Sequence, residues 1–343
     1  MIAGPEGSAP RAPLLDVRDL RVEFATTRGT VRAVNGTSFS VEPGETLAIV
    51  GESGSGKSVT SLAISGLLPR GARVSGSIRF AGADLATISE PERQRLRGRH
   101  VAMVFQDPQS SLNPVLRIEE QVAETIRAHE RISWADARGR VIDLLERVGM
   151  PDPHGVARAY PHQLSGGMRQ RVMIAIAMAL NPELLIADEP TTALDATIQA
   201  QILELLLALT ADHRTATLLI THDMGVVART SQRVAVMYAG YVVESAPTRR
   251  LFAAPRHPYT VGLLASTPRI DRPIEALRPI PGSPPDPTRD LVGCPFAPRC
   301  PRRLPVCDTV MPALAPVPGE APPDPAHLVA CHNPVPVTPA SAA

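Results

Sequence analysis

A glycine-rich segment near residue 50 constrains the fold of this chain more than any other feature. Residues 51–58 read GESGSGKS and fit the pattern G-x-x-x-x-G-K-[ST]. The apolar run 46–50 (TLAIV) precedes the segment, and residues 57–68 read as a helix. This strand–loop–helix context is the one that a phosphate-binding P-loop requires. The sequence therefore predicts an α/β fold with a nucleotide site at this loop.

The residues of the loop have distinct predicted roles. Its glycines allow backbone N–H groups to point at phosphate oxygens, and the N-terminus of the following helix adds partial positive charge. Lys57, the only lysine among the 35 lysines and arginines, is expected to reach the β- and γ-phosphates, and Ser58 to bind Mg²⁺. A chance glycine–serine turn would not explain why the single lysine lies here. The predicted nucleotide-binding residues of the loop are Gly51, Ser53, Gly54, Ser55, Gly56, Lys57, Ser58 and Val59.

A second apolar run, residues 184–189 (LLIADE), ends in two carboxylates. Asp188 is placed to hold Mg²⁺, often through water, as in other P-loop NTPases. Glu189 can orient and deprotonate an attacking water. Two acids at the end of a strand are common by themselves, but the neighbouring P-loop favours these roles.

Residues 164–171 read LSGGMRQR, which closely resembles the signature sequence of ABC ATPases. That family also has a glutamine loop, a short loop after the second acid and a switch histidine. Gln106, residues 193–195 and His222 match these elements, in the expected order over residues 15–250. Strands that alternate with helices also suit this fold, a parallel sheet with an antiparallel β-subdomain and a helical subdomain at about 108–165.

The resemblance implies that two such domains pair head to tail around two ATP molecules. The signature residues of one domain would cover the γ-phosphate held by the P-loop of the other. Among the inter-domain residues the resemblance assigns ATP contacts to Ser165, Gly166, Gly167 and Asp195. Met168 stands where many members have glutamine. Because the serine and both glycines remain, we expect the subunit to retain its catalytic activity.

The resemblance also assigns residues within one domain. His222 would contact the γ-phosphate and help to position the water. Gln106 would contribute to catalysis and to the Mg²⁺ site, and Phe24 would stack on adenine. The alternative is that Phe24 is a core residue of a strand.

The composition changes after residue 250, where we place a domain boundary: 20 of the 36 prolines follow residue 267. Residues 256–260 (RHPYT) and a run of cysteines resemble the C-terminal extension of oligopeptide and dipeptide importer ATPases. We therefore expect a flexible segment at 1–13, an ATPase domain at 14–250 and a proline-rich extension at 251–343.

All four cysteines, Cys294, Cys300, Cys307 and Cys331, lie in this extension with the spacing C-x5-C-x6-C-x23-C. The spacing lacks the C-x2-C pairs of ordinary zinc ribbons and is not the ferredoxin run. By itself it allows a four-thiolate metal site or four unligated thiols. The family resemblance implies a [4Fe-4S] cluster, with zinc as the alternative.

Charge and hydropathy limit the classes of partner. The net charge of +1 gives no support to nucleic-acid binding. The longest uncharged apolar run, 172–180, is too short to cross a bilayer, and the N-terminus does not resemble a signal peptide. We expect a peripheral protein at the cytoplasmic face of the membrane.

The resemblance as a whole implies the ATPase subunit of an ABC importer for short peptides. Its expected partners are two membrane permeases, a second ATPase subunit, in a heterodimer rather than a homodimer, and indirectly an external solute-binding protein. The rival interpretations are an importer ATPase for nickel chelates or glutathione, an exporter ATPase, and a soluble ABC protein of translation or DNA repair. Those soluble proteins usually carry two ATPase domains or basic arms, which this chain lacks.

Overall fold

Long segments of alternating apolar and polar residues near the N-terminus form an antiparallel sheet. The computed structural model describes residues 12–27, 29–192, 194–267, 279–317 and 326–336. The sheet has the order β2-β1-β4-β5 and consists of β1 (Leu15–Thr26), β2 (Gly29–Val41), β4 (Ala72–Phe80) and β5 (Ala83–Asp84). A register shift after Val17 keeps both halves of β1 facing the core, so that Leu15, Val17, Leu20 and Val22 are all buried.

The short apolar runs form the main sheet. Its strands are β3 (Thr46–Val50), β6 (Val101–Val104), β7 (Leu184–Asp188), β8 (Ala216–Thr221), β9 (Arg233–Tyr238), β10 (Tyr241–Pro247), β11 (Ala315–Pro316) and β12 (Leu328–Val329). Their order is β11-β12-β10-β9-β3-β8-β7-β6. The pairs among β9, β3, β8, β7 and β6 are parallel, and the other pairs are antiparallel. The carboxyl ends of β3, β7 and β8 therefore meet on one side of the sheet, where α/β proteins bind ligands.

Eleven α-helices are present in the described part of the chain. They are α1 (Lys57–Ser65), α2 (Glu90–Leu96), α3 (Pro108–Ser111), α4 (Ile118–Arg127), α5 (Trp134–Arg147), α6 (Pro153–Arg158), α7 (Gly166–Met178), α8 (Ala196–His213), α9 (Met224–Thr230), α10 (Thr248–Ala253) and α11 (Pro258–Ala265). Helices α4 to α7 pack around one core, to which β6, β7 and α8 also contribute side chains. In α4 this core takes Ile118, Val122 and Ile126, which recur every four residues on one face.

The predicted fold class is confirmed: a parallel sheet accompanied by an antiparallel β-subdomain and a helical region. The apolar run 46–50 forms β3, the run 184–189 forms β7 up to Asp188, and the helix expected at 57–68 is present as α1, which ends three residues earlier. The predicted flexible segment 1–13 lies almost wholly outside the described residues. The predicted boundary near residue 250 falls inside α10, so the chain passes into the extension without a break in secondary structure.

A buried carboxylate joins the extension to the main sheet. Glu244 on β10 is fully buried. Its carboxylate accepts the backbone N–H groups of Arg256 and His257 at 2.7 and 2.9 Å and contacts Nε2 of His327 at 2.8 Å. Because a buried carboxylate without partners is strongly unfavourable, these contacts fix the start of the extension and β12 against β10. No helix of the described ranges is both long and apolar enough to cross a membrane.

Candidate nucleotide-binding and hydrolysis site

The loop between β3 and α1 can be formed only with glycine at two of its positions. A Cβ atom on Gly51 would lie 2.1 Å from the carbonyl oxygen of Met237. Gly56 has a φ of +100°, and a Cβ atom there would lie 2.4 Å from the carbonyl oxygen of Ala33. The two glycines therefore let the loop pass close to β9 and β2 and turn into the helix.

The ammonium group of Lys57 lies inside this loop. Its Nζ donates to the carbonyl oxygens of Gly51 and Glu52 at 2.8 and 3.0 Å. Burial lowers the pKa of Lys57, and the carboxylates of Glu189 and Asp188 oppose that shift. An ammonium group has three donors, so one remains for a phosphate oxygen while two stay on the loop.

Ser58 and Asp188 bring oxygen atoms together beside the loop. The hydroxyl of Ser58 donates to Oδ1 of Asp188 at 3.0 Å, and Ser61 donates to Oδ2 at 3.2 Å. Burial raises the pKa of Asp188, although both hydroxyl contacts lower it. A hydroxyl and a carboxylate are ligands suited to Mg²⁺, so the donor set fits the metal that the sequence predicts.

The other predicted loop residues differ in exposure. Ser53 and Gly54 are exposed at the tip. The hydroxyl of Ser55 is buried without a hydrogen-bond partner in the described structure, which suits a loop that receives a polar ligand. Val59 is half-buried and packs against the core behind α1.

Three residues with predicted catalytic roles converge at the carboxyl ends of β7 and β8. Oε2 of Glu189 accepts a hydrogen bond from Nε2 of Gln106 at 3.1 Å, and Oε1 lies 3.3 Å from Nδ1 of His222. Glu189 has a φ of +46°, and its N–H donates to the carbonyl oxygen of Ile220 at 2.8 Å. The strained backbone turns the carboxylate from β7 toward His222, at the end of the neighbouring strand β8.

The signature residues lie on the surface, separate from the P-loop of their own chain. Ser165 is the N-cap of α7, and its hydroxyl accepts the N–H of Met168 at 3.3 Å. Ser165 and Gly166 are exposed, and no hydrogen bond within the described ranges joins them to the P-loop. A Cβ atom on Gly167 would lie 2.8 Å from Cγ2 of Ile198, so the helix start closely approaches α8.

Asp195 and Phe24 have local structural contacts as well as their predicted roles. Asp195 is the N-cap of α8, where it accepts the N–H groups of Thr197 and Ile198 at 3.1 and 3.0 Å. Phe24 is half-buried and packs against the core beneath the antiparallel sheet. Ala193, in the loop before Asp195, lies outside the described residues.

Two family models match the chain. The model described as "ABC transporter" matches residues 34–192, and the model described as "Oligopeptide/dipeptide transporter, C-terminal region" matches residues 243–307. The dipeptide transport ATP-binding protein DppD of Bacillus subtilis is 52% identical over 299 residues, which are 87% of this chain and 89% of DppD. The chain belongs to the ABC ATPases of the oligopeptide/dipeptide transporter family.

Further relatives of this ABC ATPase give the same result. The oligopeptide transport ATP-binding protein OppD of Escherichia coli is 49% identical over 296 residues, which are 86% of this chain and 88% of OppD. A solved structure described as a dimeric post-hydrolysis state of the ATP-binding cassette MJ0796, bound to ADP and Pi, superposes with a TM-score of 0.62 at 27% identity. It covers 68% of this chain and 99% of MJ0796. The protein is thus an ATPase with the ABC fold.

The four cysteines of this ABC ATPase lie in one cluster. Burial, which is the largest cause, and the nearby thiols of Cys294, Cys300 and Cys307 together raise the pKa of Cys331 to about 11. Backbone N–H groups donate to the sulfur atoms of Cys300, Cys307 and Cys331 at 3.4 to 3.5 Å. Within the described ranges, however, no three Cys, His, Asp or Glu side chains are arranged to hold a metal ion. Neither the [4Fe-4S] nor the zinc prediction is confirmed.

The sequence interpretation missed several residues that support the site. Thr192 donates to Oε2 of Glu189 at 2.8 Å, and Ser61 contacts Asp188. Both hydroxyls lie three residues after a predicted site residue, which is a signal that could have identified them. Tyr259 and Arg299, which contact the P-loop from the extension, carry no such local signal.

Proposed function

We propose that the chain hydrolyses ATP to ADP and phosphate to power the import of short peptides through separate membrane permeases. The observation that carries the proposal is the match of residues 243–307 to the C-terminal region of oligopeptide/dipeptide transporters. Relatives named for dipeptide and oligopeptide transport extend over 86–87% of the chain and support the same solute class. Importers of nickel chelates or glutathione are the alternative.

The proposed reaction uses the convergence at Glu189. The oxygen of a water forms a bond to the γ-phosphorus while the bond from that phosphorus to the β–γ bridging oxygen breaks, and the proton of the water passes to Glu189. Gln106 and His222 orient the carboxylate and the water, and Lys57 neutralises charge on the phosphates. Mg²⁺, when bound, would stabilise charge on the β- and γ-phosphates, and Ser58, Asp188 and Gln106 would hold it.

A second ATPase subunit completes each nucleotide site in this proposal. Support comes from the exposed signature residues Ser165 and Gly166, which make no hydrogen bond to their own P-loop in the described structure. An exposed helix N-terminus with adjacent glycines suits contact with a phosphate bound by another subunit. We propose a heterodimer with a homologous ATPase, in which Asp195 lies near the subunit interface.

The proposed permease contact is the amphipathic stretch from residue 110 to 150, next to Gln106 of the glutamine loop. Phe105 precedes Gln106 and is 36% exposed, Val115 is 76% exposed, and Trp134 at the start of α5 is 46% exposed. Contiguous exposed apolar patches mark interaction sites, and we propose that these three side chains contribute to such a patch. The chain would thus lie at the cytoplasmic face of the membrane. An external solute-binding protein would act on it only through the permeases, and the net charge of +1 supports no nucleic-acid partner.

We also propose a metal centre, preferentially [4Fe-4S] with zinc as the alternative, at Cys294, Cys300, Cys307 and Cys331. The clustering of four free thiols and their N–H···S contacts support it. Because the side chains are not arranged around one centre as they stand, binding requires them to reorient. The centre would stabilise the extension and takes no part in the hydrolysis described above.

Uptake into proteoliposomes tests the transport proposal. The chain, purified with its partner ATPase and two permeases, should drive ATP-dependent accumulation of a labelled dipeptide or oligopeptide when the solute-binding protein is present. Unlabelled glutathione and nickel chelates should not compete. Accumulation of one of those solutes without peptide uptake would select the alternative importer, and recovery of the chain without permeases would contradict a transport role.

Metal analysis tests the cysteine site separately. Protein purified without oxygen should be brown and contain about four irons per chain. The colour should be lost on Cys307→Ser, while the matched variant Ser266→Ala should keep it. Colourless protein with one equivalent of zinc would favour a zinc site. Metal-free wild-type protein would contradict the proposal of a metal centre.

A further inference from the structure

Two side chains of the C-terminal extension hold the second residue of the P-loop. The guanidinium of Arg299 donates two hydrogen bonds to the carboxylate of Glu52, at 2.8 and 3.1 Å. The phenol oxygen of Tyr259 accepts the backbone N–H of Glu52 at 2.9 Å. These contacts bridge 247 and 207 positions of sequence, so they depend on the tertiary fold of the extension.

Arg299 occupies a site that satisfies its whole side chain. Besides Glu52, its N–H groups donate to the carbonyl oxygens of residues 281 and 280 at 2.9 and 3.2 Å and to the phenol of Tyr238 at 3.2 Å. Each of the five donors of the guanidinium thus has an acceptor. The side chain is only 5% exposed, and its hydrogen bonds to Glu52 raise the pKa of Arg299 above its ordinary value. A buried cation fixed in this way is not free to leave its carboxylate partner.

An aromatic cluster supports both contacts from below. The ring of Tyr238, at the end of β9, lies 4.6 Å from that of Tyr259 and 5.3 Å from that of Phe296. Tyr259 and Phe296 are 5.4 Å apart. All three side chains are almost fully buried. Because β9 pairs directly with the P-loop strand β3, the extension, the main sheet and the loop pack as one unit.

Glu52 is engaged at its backbone and at its side chain. Its N–H donates a hydrogen bond to the phenol oxygen of Tyr259, and its carbonyl oxygen accepts one from Nζ of Lys57. Its carboxylate accepts hydrogen bonds from Arg299. Residues 53–58, which are predicted to surround the phosphates, follow directly. Without Arg299, the loop would lose an anchor and would present an unpaired carboxylate close to an incoming polyphosphate, which it would repel.

We propose that Arg299 and Tyr259 are positioning residues for nucleotide binding, which hold Glu52 and thereby make the ATP affinity of the P-loop depend on the folded extension. A loop held in its binding conformation loses less entropy when the ligand binds. The proposal rests on nucleotide binding at the P-loop and is independent of the transported solute.

Calorimetric titration of the full chain with MgADP tests the role of Arg299. Arg299→Gln should weaken MgADP binding by roughly tenfold, as expected when a charge-assisted contact that orders a binding loop is lost. The same substitution in a Glu52→Gln background should change the affinity by less than about threefold, because Arg299 acts through that carboxylate. An unchanged dissociation constant for Arg299→Gln, or an equal loss in both backgrounds, would overturn the proposal.

Two further variants separate positioning from general stability. Arg233→Gln removes another partly buried arginine that forms two hydrogen bonds to one carboxylate, that of Glu45, at 2.8 and 3.0 Å. It should lower the melting temperature without weakening MgADP binding. Tyr259→Phe deletes one oxygen and should raise KM for ATP several-fold with kcat nearly unchanged. The proposal that Arg299 and Tyr259 position the P-loop would be contradicted if Arg233→Gln weakened MgADP binding as much as Arg299→Gln does. An unchanged KM for ATP in Tyr259→Phe would also contradict it.

Discussion

At the scale of single residues, Glu189 shows how backbone and side chain cooperate. Its left-handed backbone conformation, φ +46°, is uncommon for a residue with a Cβ atom. This conformation brings the carboxylate into contact with Gln106, Thr192 and His222. The sequence identified the acid by its place after an apolar strand, but its backbone conformation and its contact with Thr192 could be seen only in the structure.

Glu189→Gln tests the proposed base. The amide cannot accept a proton from water, so ATP turnover should fall by about 100-fold or more while nucleotide binding persists. Phosphate release and nucleotide titration on the same sample measure the two properties. Glu183→Gln, at an exposed glutamate before the opposite end of β7, is the control and should retain full turnover. Undiminished hydrolysis by Glu189→Gln would exclude Glu189 as the base.

His257 should make stability depend on pH. Burial lowers the pKa of His257 from 6.5 to about 4, although Glu244 opposes the shift, and its Nδ1 accepts the N–H of Tyr259 at 3.1 Å. Between pH 4 and pH 6.5, His257 binds a proton in the unfolded chain but not in the folded chain. The stabilisation is therefore complete above about pH 6.5 and is lost as the pH falls toward 4, with a loss of roughly 2 kcal/mol at pH 5.

Urea denaturation at several pH values measures this effect. His257→Asn can retain an acceptor for the N–H of Tyr259 but has no group that titrates in this range. The variant should therefore show a smaller loss of unfolding free energy than the wild type between pH 6.5 and 5. Parallel pH profiles for the two proteins would mean that His257 does not cause the dependence.

At the scale of helices and strands, periodicity decided what could be predicted. Helix α4 places Ile118, Val122 and Ile126 four residues apart, a spacing that is typical of an amphipathic helix. Strands β11 and β12 have only two residues each, too few for any periodic signal. Their positions follow instead from tertiary contacts such as that between Glu244 and His327.

Glu244→Gln should weaken the connection between β10, β12 and the start of the extension. The two carboxylate oxygens of Glu244 accept hydrogen bonds from Arg256, His257 and His327. Glutamine replaces one of these oxygens with an NH2 group, so at least one buried hydrogen bond is lost. We expect the unfolding free energy to fall by roughly 1–3 kcal/mol. Glu204→Gln, at an exposed glutamate 3.6 Å from Arg229, is the control and should change it by less than about 0.5 kcal/mol. Equal stability of both variants would show that the buried carboxylate is dispensable.

At the scale of the whole molecule, the nucleotide site was largely predictable and its connection to the extension was not. The P-loop, the acids of β7 and His222 are marked by local patterns, because each lies where a strand meets a loop. The pair of Glu52 and Arg299 joins opposite ends of the chain, and neither residue belongs to a pattern that indicates the other. The spacing of the cysteines is a visible sequence pattern. Phe296 and Arg299, which lie between Cys294 and Cys300 and pack toward the P-loop, belong to no such pattern.

The way in which the main sheet ends also bears on solubility. A strand at the edge of a sheet exposes unpaired N–H and C=O groups that can recruit another chain. Here the extension covers β10 and ends the sheet with β11, which has two residues and includes Pro316. A chain that stops at residue 267 would uncover β10 and should self-associate without nucleotide, as measured by light scattering against the full chain. A monomeric, folded truncation would contradict this. We therefore expect the extension to protect the protein against aggregation as well.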